Sequence, residues 1–374
     1  MLKGVIMILS NKIRCLPTKE QEIQFKKSAG TSRFVYNLMI SENQKIYNEY
    51  LKSDVECKSP FISGYDFGKH ITILKRLPEY QWFSDVSSQT TKQACLDCDT
   101  AFKRFFKKLS GFPKFKKKGN RDSFYVRCDT FKRTPKGFKG ERLGNVKTAE
   151  PLPKATKYYN PHIVYDGKYW YITFGIDVPE KVNDDNSGKT LGVDLGIKTF
   201  ATVSDGTVVP NINKAKKPKS VYRKIKYFQR KLSRCKKGSR NRLKVVKKLQ
   251  LLHRKLRCIR QNHIHQATNK LVKTKPARIV IECLNVLGML KNRKLSKAIS
   301  EAGFHEFARQ LEYKCRLWGI EFVKADRFFP SSKLCCNCGC KKDKLKLSER
   351  TYHCEHCGNS IDRDLNAALN LSYL

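Results

Sequence analysis

The spacing of apolar residues divides the chain into stretches of different texture. Thr18 and Gln21 stand at capping-box spacing behind Pro17, and Phe25, Ala29, Phe34, Leu38 and Ile40 follow, which predicts a helix turning its apolar stripe to a core. A second helical run covers roughly Ser87 to Leu109 and stops where Gly111, Pro113 and Gly119 break it. From Ser123 to Pro179 the period shortens. Runs such as SFYVRC and HIVYDGKYWYITFGI read as strands, and Asp166-Gly167 between them predicts a hairpin in a small β-sheet or barrel. The polar KVNDDNSGK puts a boundary near residue 185. Beyond it, KTLGVDLGIKTFATVSDGTVV predicts a buried strand, a tight Gly turn and a second strand with its own hairpin. Tyr222, Ile225 and Leu232, then Leu243, Val246, Leu252, Leu256 and Ile259, recur at helical spacing on either side of CKKGSRNR, predicting a helical hairpin with one apolar seam. The apolar PARIVIECLNVLGM is a further strand, followed by a helix from about Phe304 to Trp318 and the strand IEFVKAD.

Charge changes this picture from a fold to a partner. The 374 residues carry a net charge of +44, a surplus that repels itself unless a polyanion neutralises it. Between Asp205 and Glu282 there is no acidic residue at all. The helical hairpin there should lie along nucleic acid, with Arg223, Lys224, Arg230 and Arg254 on its cationic face. Lys114, Lys116, Lys117 and Lys118 alternate with Phe112 and Phe115 on a loop, a pattern suited to phosphate contacts and base stacking, and Arg33, Tyr36 and Asn37 could face the same backbone. No apolar run is long enough to span a bilayer and no secretory signal is evident, so a cytoplasmic protein is expected.

Cysteine and acid placement add chemistry. Of 15 cysteines, Cys335 and Cys338, with Cys354 and Cys357, form two C-x2-C knuckles at zinc-ribbon spacing, each followed by Gly. Four thiolates leave no open position, so that zinc is structural. Cys336 and Cys340 fall outside the pattern and read as bystanders, while Cys95 and Cys98 read as half-buried helix residues. Asp194 sits inside an apolar strand between Gly192 and Gly196, and Glu282 inside another. A buried carboxylate is costly unless a cation or hydrogen bonds satisfy it. Two such strands in so basic a chain are what a divalent-metal nuclease needs, and IDRDLNAALN, at the head of an Ala/Leu-rich helix, offers Asp362 or Asp364 as a third acid. Spacing alone does not separate these two, since an Asp there also suits a helix cap.

Taken together, LPTKEQ, RFVYN, SFYV after GFPKFKKKG, GVDLGIKTFAT, IECLNV, the cysteine ribbon and DRDLNAALN make the chain resemble, over essentially its whole length, the TnpB (OrfB) proteins of bacterial and archaeal insertion sequences, compact relatives of the type V CRISPR effectors. The resemblance implies an α/β plus β architecture. An RNase H-like (RuvC) nuclease domain with a zinc-ribbon insertion would follow an oligonucleotide-binding-like β-barrel, the wedge, holding an inserted helical recognition region. The corresponding bounds are 1–16 and 123–185 for the wedge, 17–122 for the helical region and 186–330 for the nuclease with its basic hairpin at 214–272; the ribbon takes 331–360 and the final motif and helix 361–374. It implies RNA-guided cleavage of double-stranded DNA beside a short transposon-adjacent motif, with a guide RNA from the transposon end as partner. Asp194 and Glu282 become the first two catalytic acids and magnesium ligands, and Asp364 is preferred to Asp362 as the third. Hydrolysis would use two Mg2+, with Mn2+ as a substitute. The competing expectations are a guided DNA-binding repressor that does not cut, and a transposase acting directly on transposon ends.

Overall fold

The computed structural model describes residues 6–52, 61–119, 121–181, 188–346 and 349–374. The chain separates into two units, Met7–Val178 and, together with Ile6, Pro179–Leu374.

In the N-terminal unit, β1 (Ile6–Leu16) leads straight into the long helix α1 (Lys19–Tyr50). The capping box forms as its sequence requires: Thr18 Oγ1 accepts the Gln21 N–H at 3.2 Å, and Gln21 Oε1 accepts the Thr18 N–H at 3.1 Å. Helices α2 (Gly64–Leu74) and α3 (Ser88–Phe106) follow, then β2 (Ser123–Tyr125), β3 (Lys132–Thr134), β4 (Gly137–Gly140), β5 (Gly144–Thr148), β6 (Tyr158–Tyr165) and β7 (Trp170–Pro179). These strands and β1 build one seven-stranded sheet in the order β2-β6-β7-β1-β5-β4-β3. Asp166-Gly167 makes the β6–β7 turn, with Gly167 at φ +96 and Asp166 Oδ1 accepting the N–H groups of Lys168 and Tyr169.

Helix α1 serves two cores. Its first half packs Phe25 and Ala29 among the sheet residues Phe124, Trp170 and Ile172, whereas its second half packs Val35, Met39 and Ile40 against Phe67, Phe83 and Phe102. Phe34, expected in the core, is 38 % exposed and lies edge-on to Trp82. Cys95 and Cys98 are fully buried rather than half-buried, and burial pushes both thiols up to about 12, which leaves them inert packing residues.

The C-terminal unit is built on β8 (Thr190–Leu195), β9 (Thr199–Val203), β10 (Val208–Pro210), β11 (Arg278–Ile281) and β12 (Glu321–Lys324), in the order β10-β9-β8-β11-β12. β9 is antiparallel to β8 and β10, whereas β11 runs parallel to β8 and β12. Helices α4 (Lys216–Ser233) and α5 (Arg240–Lys273) form the hairpin. Val221 and Ile225 meet Val245, Leu249 and Leu256 along its seam. Leu243, expected in that seam, is 63 % exposed, because the stripe on α5 runs through 245, 249, 252 and 256 and position 243 falls outside it. Three helices follow, α6 (Val286–Leu290), α7 (Ser296–Ala302) and α8 (Phe304–Trp318), then the ribbon strands β13 (Thr351–His353) and β14 (Ser360–Asp362), and finally α9 (Arg363–Ser372).

The central sheet is covered on two faces. Leu191, Val193, Leu195, Ile279 and Ile281 meet α5 and α8 through Ile264, Leu271, Phe307 and Leu311. On the other face Val280 meets Leu371 of α9, and Gly192 lets the α9 backbone come down onto β8. A Cβ at Gly192 would overlap the Ala368 carbonyl oxygen and stand 2.6 Å from the Ser372 nitrogen, both backbone atoms that cannot rotate aside. Gly192→Ala is therefore expected to destabilise this unit by about 1–3 kcal/mol, as forced overpacking does. Chemical unfolding measures it, and an unchanged midpoint would show that α9 does not depend on this contact. Among the described residues, no helix is long and apolar enough to cross a membrane.

Candidate active site

Strand alternation decides where the acids point. Because Val193 and Leu195 face α5 and α8, Asp194 faces α9, and the parallel register Val193↔Ile281 brings Glu282, the residue after β11, alongside it. Helix α9 delivers the third acid to the same face. Burial pushes the Asp194 carboxyl up to about 8, with repulsion from Glu282 and then Asp364 adding to it and Arg363 opposing it. Burial also raises Glu282.

The two acids of the DRD motif do different work. Asp362 is exposed and caps α9: its Oδ1 accepts the N–H groups of Asp364 and Leu365, both at 3.0 Å. Asp364, one residue inside the helix, is 25 % exposed and stands 3.9 Å from the Arg350 guanidinium. Of the pair, it is Asp364 that bears more strongly on Asp194. The three carboxylates converge without three of their oxygens lying within 4.8 Å of one another.

An all-oxygen donor set of crowded, partly desolvated carboxylates fits a hard divalent cation, whose charge would let all three ionise. Cation binding must then displace the Asp194 proton. At pH 7, below about 8, release of roughly one proton is expected, falling to about a tenth of a proton one unit above that value. Calorimetric titration with Mg2+ in buffers of different ionisation enthalpy measures it, and buffer-independent heats at pH 7 would refute it. With its folded pKa raised, Asp194 makes the metal-free protein less stable as pH climbs from 3.8 towards about 8.

The ribbon is joined to this site without a linker. β13 pairs β14 with Thr351 opposite Asp362, so the last ribbon residue is the cap of α9. The Sγ atoms of Cys335, Cys338, Cys354 and Cys357 all lie within 4.8 Å of one another, with Cys335–Cys357 and Cys338–Cys354 both at 3.6 Å. Sulfurs placed tetrahedrally at about 2.3 Å from zinc stand about 3.8 Å apart, so the cluster suits that ion. Gly339 and Gly358 take φ +73 and +72, the left-handed turn each knuckle needs. Burial works against ionisation of Cys335, but hydrogen bonds from the Cys338 and Asn337 N–H groups and from the Cys357 and Cys338 thiols together lower its pKa to about 6.

Two asparagines clamp α9 to the first knuckle. Asn366 Nδ2 donates to the Leu334 carbonyl at 2.6 Å and its Oδ1 accepts the Cys336 N–H at 3.0 Å, while Asn370 Nδ2 donates to the Ser331 and Leu334 carbonyls at 2.8 Å. Both are buried. In the sequence they read only as members of a helix; their i, i+4 spacing is the one signal that they share a face.

The basic candidates separate into two groups. Arg33 pairs with Asp122 at 2.6 Å, Tyr36 is buried in the helical core, and Asn37 holds the Lys116 backbone through both its N–H and its carbonyl. The Lys116 ammonium lies 3.6 Å from the centre of the Tyr36 ring. Tyr36, Asn37 and Lys116 thus tie the 114–118 loop to α1, and Arg33 ties α1 to Asp122 just beyond it. Lys114, Lys117 and Lys118 on that loop, and Arg223, Lys224 and Arg230 on α4, are exposed, and Arg254 on α5 is partly buried. A cleft of about 820 Å³ beside α1 also brings Lys26, Lys27, Phe34, Trp82 and Lys118 together, and no sequence motif marks Trp82 or the two lysines.

Comparison with known proteins adds three family matches and a fold. Residues 173–293 match a family model described as Probable transposase, residues 304–371 match the Cas12f1-like TNB domain, and residues 7–52 match a helix-turn-helix domain, although here those residues form one strand and one long helix. A Streptomyces pristinaespiralis protein named "Putative RNA-guided DNA endonuclease" is 32 % identical, covering 96 % of this chain and 87 % of that one. InsQ of Escherichia coli (strain K12), with the same description, is 31 % identical over 96 % of this chain and 90 % of its own. Among solved structures, the protein chain of a cryo-EM Cas12f1–sgRNA–target DNA complex shares the fold with a TM-score of 0.57, at 14 % identity and 99 % coverage of each chain.

Proposed function

The chain belongs to the TnpB (OrfB) family, related to the type V effectors, and on that premise we propose that it is a transposon-encoded, RNA-guided endonuclease of double-stranded DNA. The observation that carries the reading is the convergence of Asp194, Glu282 and Asp364, from two adjacent strands and one helix, on a single face of the central sheet. A guided repressor would have no use for three repelling carboxylates there. The strand order and its parallel and antiparallel senses support an RNase H-like reading of the C-terminal unit, with the ribbon and α9 as insertion and final motif. We assign the seven-stranded sheet to the wedge and the helices α1–α3 to recognition.

In the proposed reaction, Asp194 is held within β8 and Glu282 is carried directly after the end of β11, while Asp364 closes the donor set from α9. Asp362 acts only as that helix's cap. Two divalent cations, Mg2+ or Mn2+ in its place, when bound supply the Lewis acidity that ionises water and offsets charge on the leaving 3′-oxygen. The exposed cations of α4 and the 114–118 loop grip phosphate backbones, and base pairing with the guide reads sequence. The DNA motif beside the target would be read in the N-terminal unit.

The test is to express the protein with its flanking transposon-end DNA, sequence the co-purified RNA, and challenge the complex with matched targets beside a randomised motif. Guide-dependent cutting next to one recurring motif is expected. Cutting that survives RNA removal and stays confined to transposon ends would instead establish a directly acting transposase.

A further inference from the structure

We propose that the ribbon holds a second metal position, formed by Cys338, Cys340 and His356, in which Cys338 is a thiolate shared with the four-cysteine site. One donor atom from each of these three residues lies within 4.8 Å of the other two, and neither Cys340 nor His356 belongs to the inner set. Each knuckle contributes to the outer position as it does to the inner one: Cys340 follows Gly339 of the first, and His356 stands between Cys354 and Cys357 of the second.

Backbone structure keeps Cys340 there. Its carbonyl accepts the Cys335 N–H at 2.9 Å, and the flanking residues Leu334 and Lys341 form a β-bridge. The Tyr352 hydroxyl donates to the same carbonyl at 3.4 Å. On the second knuckle the Gly358 N–H closes onto the Cys354 carbonyl at 3.0 Å, fixing the turn that carries His356. Cys336 differs: its backbone N–H serves the Asn366 clamp, its sulfur accepts from Asn359 Nδ2 at 3.6 Å, and it joins neither metal set.

Two thiolates and an imidazole select a borderline or soft divalent ion such as Zn2+, Co2+ or Cd2+. A thiolate sulfur has lone pairs enough to bridge two cations. Four thiolates around one dication leave a net charge of −2, and adding Cys340, neutral His356 and a second dication leaves −1. The second ion therefore relieves repulsion within the cluster. With three protein donors it keeps one position for water, and His356 is exposed, so the outer ion exchanges while the inner one stays.

The proposal rests on the inner cysteines binding metal, and the experiment separates the two. The full-length protein, stripped by chelation under reducing conditions, is titrated with Cd2+ and followed by thiolate-to-metal charge-transfer absorption, which oxygen-only carboxylate sites do not produce. Two equivalents per chain are expected for wild type, one for His356→Ala and one for Cys340→Ser, with His356→Cys returning to two. Saturation of wild type at one equivalent, or two equivalents in both single variants, would overturn the second site and leave the first intact. No thiolate-bound metal in wild type would overturn both. If Cys340→Ser prevents the ribbon from folding, the exposed position His356→Ala decides.

Discussion

Asp194→Ala is expected to lower single-turnover cleavage of a matched duplex roughly a thousandfold or more, the scale on which loss of one member of an interdependent catalytic set acts, while guide-dependent target binding stays near wild type. Asp194 is the acid that the other two converge on, and it lies on the strand at the middle of the sheet, so no neighbour can move into its place. Its removal is expected to leave the fold intact. A carboxyl raised to about 8 destabilises the metal-free fold at neutral and higher pH, so the variant should be at least as stable as wild type without Mg2+. Glu282→Gln and Asp364→Asn should behave alike. Asp362→Asn, which keeps a side-chain oxygen for the cap, should cut within a few-fold of wild type. Parallel binding and cleavage assays distinguish these cases. Robust cutting by Asp194→Ala, or a collapse in Asp362→Asn with none in Asp364→Asn, would sink the assignment.

Cys354→Ser should also abolish cleavage, by a different route. Structural zinc contributes about 10–16 kcal/mol to small zinc-folded peptides at neutral pH, and Cys354 is a buried inner donor. Neither Cys340 nor His356 lies within ligand distance of the whole inner set, so neither replaces it without rearrangement. Without the ion, the knuckle that Asn366 and Asn370 grip is no longer a fixed anchor, and α9 loses the contacts that aim Asp364. The expected signature is loss of tightly bound zinc, new proteolytic cleavage between residues 331 and 360, and lost activity together. Asp194→Ala should show only the last of these. Wild-type zinc content in Cys354→Ser would remove the ribbon from this account.

How much of this was legible depended on how local each interaction is. The capping box at Thr18 and Gln21, the Asp166-Gly167 turn and the left-handed glycines after each knuckle are short-range devices, and they form where the residues imply. Asn37 shows the opposite case. It is a polar residue on a helix in the sequence, yet its two hydrogen bonds to the Lys116 backbone span 79 positions, which no periodicity records. Leu243 falls outside its seam because it stands two residues before Val245, about 200° round the helix from the face that Val245, Leu249 and Leu256 share.

By itself the sequence determined the chemistry available: a polyanion-binding charge, four thiolates at ribbon spacing, and carboxylates in an apolar strand, as at Asp194, or just past the end of one, as at Glu282. Residue type and near-neighbour spacing suffice for those, since ionisation, knuckle geometry and strand alternation are all local. Only the tertiary structure decided what each group is aimed at. It set Gly192 under α9, made Asp362 the cap while Asp364 faces the strands, and drew Cys340 and His356 together beside Cys338. Each of these rests on the close approach of segments distant in the chain, and such approach is settled by packing a whole core, which no short stretch of sequence contains.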